Sequence, residues 1–192
     1  IGVLEPAVKA KLLRFEARIE LAVNKDIARV KQLAAKAKEI SPSNDDEKLA
    51  SLILYHEKGP KEALETLSRC NDEDINSSNF RAALLMETEN LKAAQELLDD
   101  LIAQEKADAE TFRLKAICSF YQKNLEEARL HIQKAMKKKP RWEHLRFTAA
   151  VFYYYSALSP AAIPYDYNYL PQFPSPVDWM LIKRDGTSSK WL

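Results

Sequence analysis

The chain has 192 residues, 46% of them apolar and 30% charged, which is enough apolar side chain to bury a core and too much for wholesale disorder. A net charge of +1 gives no global electrostatic reason for nucleic acid or an anionic membrane to be the main partner. Only three glycines occur, at Gly2, Gly59 and Gly186, too far apart for the glycine-rich loops that let backbone approach a phosphate.

Taken in chain order, apolar periodicity predicts helices at 5–23, 27–40, 45–58, 61–70, 75–88, 91–105, 109–122, 125–138 and 141–158. Asp26-Ile27 reads as the first turn, Ala34 and Ala37 as packing positions of the second helix, and Pro42 as a terminator, because proline cannot continue a helix. Gly59-Pro60 reads as the next turn, with Ala63 and Leu67 in the places that Ala94 and Leu98 take later, at a shorter spacing. Pro140 closes the eighth helix, and the cations Lys137, Lys138 and Lys139 before it suit the negative end of a helix dipole.

The sequence repeats itself. Asn90-Leu91-Lys92-Ala93-Ala94 is matched thirty-four positions later by Asn124-Leu125-Glu126-Glu127-Ala128, and the same offset pairs Ala82 with Ala116, Met86 with Phe120, Leu98 with Ile132 and Leu101 with Ala135. One more step pairs Ala116 with Ala150 and Phe120 with Tyr154. The unit from Ala109 to Pro140 resembles the tetratricopeptide repeat (TPR) family, with Phe112 at the family's Trp place, Ala116 at the helix crossing, Ala128 and Ala135 at the small second-helix places, and Pro140 at the closing proline. The preceding unit departs from it at Leu101 and Lys106, and the first two are irregular. This implies an all-α, TPR-like solenoid of antiparallel helical hairpins over 1–158, with an irregular Pro/Tyr-rich extension over 159–192.

The resemblance also implies a function: binding a protein or peptide through a concave groove lined by first helices. Its groove-facing places fall on Tyr55, Asn79, Met86, Arg113, Phe120, Tyr121, Phe147, Val151 and Tyr154, residue types suited to contact or to packing between helices. Arg113 and Tyr121 stand out because their polar tips need solvent or a partner. The asparagine places of the family's chaperone-binding subclass hold Leu52, Ala83 and Ile117, so that subclass is not expected. The alternative is a regulatory or sensor arm of a larger multidomain enzyme or NTPase.

No catalytic, metal or cofactor site is expected. His56, His131 and His144 are isolated, and the acid pairs Asp45-Asp46, Asp99-Asp100 and Glu126-Glu127 suit helix starts or solvated faces. Lys137 to Lys139 and Arg141 beside Trp142 could hold single-stranded nucleic acid by charge and stacking, a weaker third reading than a solvated helix end. Cys70 and Cys118 lack metal-like spacing and read as free thiols of a reducing compartment, hence the cytoplasm. Neither an 18-residue apolar run nor a signal-like N-terminus occurs, so no membrane span is expected. Ile1 at one end and Trp191-Leu192 in mid-pattern at the other read as a fragment of a longer protein. Pro160, Pro164, Pro171, Pro174 and Pro176 interleave with Tyr165, Tyr167, Tyr169 and Phe173, a stretch expected to pack its rings on the last helices, with entry into the groove as a partner site, or a lead into a further repeat, as the alternatives.

Overall fold

The structure, a computed structural model, describes residues 5–69, 74–141, 145–146, 148–150 and 152. Eight helices and no strand occur among the described residues: α1 (Pro6–Val23), α2 (Ile27–Ile40), α3 (Asn44–Lys58), α4 (Pro60–Ser68), α5 (Ile75–Glu87), α6 (Leu91–Ala103), α7 (Ala109–Tyr121) and α8 (Leu125–Lys138). Two of the eight keep their predicted bounds and the others shift by at most two residues. Of the ninth predicted helix, Leu145, Arg146, Thr148, Ala149, Ala150 and Phe152 are helical, but Arg141 still lies in a turn. The expected 158/159 boundary and the Pro160–Pro176 segment lie outside the described residues.

Short polar side chains start most of these helices by accepting from backbone N–H groups that have no partner inside the helix. Asp26 caps α2 through Arg29 N at 3.0 Å, Asn90 caps α6 through Ala93 N at 3.3 Å, and Asn124 caps α8 through Glu127 N at 3.2 Å. Ser43 with Asp46, and Asp108 with Thr111, form reciprocal capping boxes on α3 and α7. Helix ends are equally regular. Glu89, Glu105 and Lys123 take left-handed φ values of 61°, 56° and 64°. The next N–H reaches five residues back each time: Asn90 to Leu85 O at 2.9 Å, Lys106 to Leu101 O at 3.0 Å and Asn124 to Ser119 O at 2.9 Å. This is the Schellman ending, which satisfies the last carbonyls and lets the next helix begin after three residues from α5 to α6 and from α7 to α8, and after five from α6 to α7.

The described helices fall into two compact units, α1 to α4 and α5 to α8. In the first, α1 packs on α2 and α3, and α3 on α4; in the second, α7 packs on α5, α6 and α8. Each hairpin from α3 onward closes on a pair of small residues twelve positions apart: Ser51 with Ala63, Ala82 with Ala94, Ala116 with Ala128, all 0% exposed. Small side chains let the two backbones approach closely, and Ser51 uses the proximity to donate its hydroxyl to Ala63 O at 2.7 Å. A buried ion pair ties α1 to α3, with Arg14 Nε 2.7 Å from Asp46 Oδ1 and Nη2 3.0 Å from Asp46 Oδ2, and with Ser41 O as a further acceptor for Nη2.

Candidate partner-binding face on the first helices

The second unit places five of the expected site residues on two helices that touch: Asn79 and Met86 on α5, Arg113, Phe120 and Tyr121 on α7. Asn79, Met86, Arg113 and Phe120 are buried, and only Tyr121 is partly exposed. Tyr55, also partly exposed, lies on α3 in the first unit. Phe147, Val151 and Tyr154 lie outside the described side chains.

The polar members of this face are engaged within the chain. Asn79 Nδ2 donates to Asp108 Oδ1 at 3.1 Å, and the Thr111 hydroxyl lies 3.0 Å from both Asn79 Oδ1 and Asp108 Oδ1, able to donate its one proton to either. The α7 cap and the start of α5 therefore share one hydrogen-bonded cluster. Arg113, expected to need solvent or a partner, finds the partner one turn earlier: Nε donates to Glu110 Oε2 and Nη2 to Glu110 Oε1, both at 2.8 Å. With Arg113 1% and Glu110 5% exposed, a forked guanidinium–carboxylate pair is the arrangement that best repays desolvation of both charges. An acidic residue three positions before a basic one on a helix was the sequence signal for it.

On the other side of α7, Lys115 is buried and directs Nζ to Asp99 at 2.7 Å and Glu127 at 3.8 Å. Glu127 also lies 3.6 Å from His131 Nε2, while His131 Nδ1 has no hydrogen-bond partner among the described residues. Burial, joined by the charge of Lys134, holds the His131 pKa below its ordinary 6.5, although Glu127 acts in the opposite sense. A ring stack of Phe112 and His131, with centroids 6.0 Å apart, sits under Lys134 and Lys138, each with Nζ 5.7 Å from the Phe112 centroid. Those two lysines thus have an intramolecular aromatic to cover.

Phe120 stacks on Phe152 at 4.8 Å and meets the Tyr121 ring edge-on at 6.0 Å. The chaperone-subclass places Leu52, Ala83 and Ile117 are core residues. Cys118 is a free, buried thiol whose pKa desolvation pushes up to about 12, which favours the protonated, unreactive form. Cys70 and Trp142 lie outside the described residues. Among the described residues no cluster of His, Cys, Asp and Glu could hold a metal ion, and no helix is long and apolar enough to cross a membrane.

No protein-family model and no curated protein matches this sequence. A solved structure of PilF from Pseudomonas aeruginosa superposes with a TM-score of 0.60 at 18% identity, covering 77% of this chain and 69% of that chain. On that likeness and on its paired helices, the chain has a TPR-like, all-α fold of packed helical hairpins.

Proposed function

We propose that this chain is a protein-interaction module that takes a peptide or a partner helix on the first helices of its hairpins, and that it is a scaffold rather than a catalyst. The observation that carries the reading is the TPR-like stacking of hairpins, an architecture whose first-helix faces are suited to long, shallow contacts. Tyr121 and Tyr55 are the contact residues we favour, each within its own unit, because a half-exposed tyrosine offers a large rigid area with a hydrogen-bonding tip. Asn79, Met86, Arg113 and Phe120 form the floor that fixes the face, and Phe147, Val151 and Tyr154 would extend it. A cytoplasmic location belongs to the same reading, supported by the free thiol of Cys118.

The test replaces Tyr121 or Tyr55 with a photo-crosslinking amino acid in the full chain, within the cells that make it. A discrete protein adduct is expected at one or both positions and not at Lys92, a solvated position on α6. Tyr121→Ala should then weaken capture of that protein about tenfold with an unchanged melt. No adduct at either tyrosine, or an equal yield at Lys92, would overturn the reading.

A further inference from the structure

Helix α1 carries two apolar faces. One is buried, through Ala10, Ala17 and Leu21 with Arg14 between them. The opposite face carries Val8, Leu12, Phe15, Ile19 and Val23, exposed by 42%, 51%, 42%, 48% and 58%. At about 100° per residue these five fall within an arc of about 80°, spaced by four, three, four and four residues, as in the seam between paired helices. Five of the six most exposed large apolar side chains among the described residues lie on this stripe, Leu130 being the sixth. Clustering of that kind marks a contact surface rather than scattered exposure.

We infer that the stripe pairs with α1 of a second copy of this chain, the two helices running parallel. The charges beside the stripe select this occupant and orientation. Lys11 and Arg18 border one edge, Lys9 and Glu16 the other. A parallel copy sets each helix's Lys11 edge against the other's Glu16 edge, so Lys11 meets Glu16 of the second copy twice across the two-fold axis. An antiparallel copy would set the Lys11 edge against the same edge of the second copy, where Lys11 finds no acid of that helix, so the two attractions of the parallel pair are lost. Glu16 is free to take a second cation, since its pair with Arg29 at 3.3 Å is half exposed on both sides and correspondingly weak. Arg18 is turned inward, 3.9 Å from Asp45, and leaves the Lys11 contact to dominate its edge.

Sedimentation equilibrium of the full chain over a wide concentration range tests the pairing. A monomer–dimer equilibrium is expected, and Leu12→Glu, at a half-exposed position outside the core, should abolish it without changing helicity or melting temperature. Lys11→Glu and Glu16→Lys should each weaken the dimer about tenfold by creating two like-charge pairs, while an equimolar mixture of the two should recover association by restoring both attractions. A chain that stays monomeric at every concentration, leaving the stripe for a different protein, would overturn the inference. So would a dimer indifferent to Leu12→Glu, or one that Lys11→Glu does not weaken, as the antiparallel arrangement requires.

Discussion

Among the described residues, Gly59 is the one whose backbone demands its identity: with φ 111° and ψ −175° it ends α3 and starts α4, and its N–H reaches Leu54 O at 3.2 Å and Tyr55 O at 3.0 Å. That region is open only to glycine, so Gly59→Ala should cost about 1–3 kcal/mol although the added methyl would meet nothing within 4 Å. A denaturant midpoint unchanged by the substitution would show that the turn relaxes instead. Ala116 poses the opposite problem, of space rather than backbone. Fully buried on α7 and twelve residues before Ala128, it should lose about 1–3 kcal/mol on Ala116→Leu, and a melt unchanged within error would mean it is not at a crossing. Both residues were legible in the sequence, Gly59 from the following proline and Ala116 from the thirty-four-residue repeat. Ser51 was not, because a hydroxyl hides its kinship with Ala82 and Ala116. Arg113 was half legible: its need for a partner was evident, but that Glu110 meets it depends on how deeply α7 is buried.

At the scale of the element, helix bounds were readable because start and stop signals are local: Asn and Asp caps, prolines, and the gap before the next apolar run. What periodicity did not convey is which face of a helix is covered. In α1 both faces are apolar, so the pattern announces a helix without showing that Val8, Leu12, Phe15, Ile19 and Val23 stay outside. The Schellman endings were equally silent, since Glu89, Glu105 and Lys123 are not the glycines that usually mark a left-handed residue. A side chain there costs about 1 kcal/mol or more, only partly offset by the freedom glycine gives the unfolded chain. Glu89→Gly, at an exposed position, should therefore raise stability by about 0.5 kcal/mol, read as a higher urea midpoint. A lower midpoint would mean that Glu89 makes a contact that outweighs its strain.

For the whole molecule, acid should act on the two units in different ranges. In the second unit His131 is held below 6.5, so as pH falls through that value the unfolded chain binds its proton first, and stability present above 6.5 is lost toward the folded pKa. In the first unit burial acts to raise the Asp46 pKa, but hydrogen bonds from Arg14 and the Ser43 N–H, with the charges of Arg14 and Lys38, hold it below its ordinary 3.8. Its stabilising contribution is complete above about pH 4 and disappears as pH falls further. Urea titrations followed by hydrogen exchange in each unit should thus show the α5–α8 amides weakening between pH 7 and 5 while the α1–α4 amides hold until below pH 4. Equal slopes for the wild type and His131→Gln between pH 7 and 5 would remove His131 as the cause. The repeat foretold the order of helices in the second unit, whereas the division into two units follows from packing that a period does not encode.

Every residue of α7 from Ala109 to Phe120 is buried, although α6 and α8 each bury only one face. Tolerance to random substitution should therefore rise and fall with the helical period along α6 and α8 and flatten to uniform intolerance along α7. Natural variation would be channelled into the outer helices, leaving the middle one to change slowest, and any partner that needs an α7 side chain would constrain a segment with little freedom to drift.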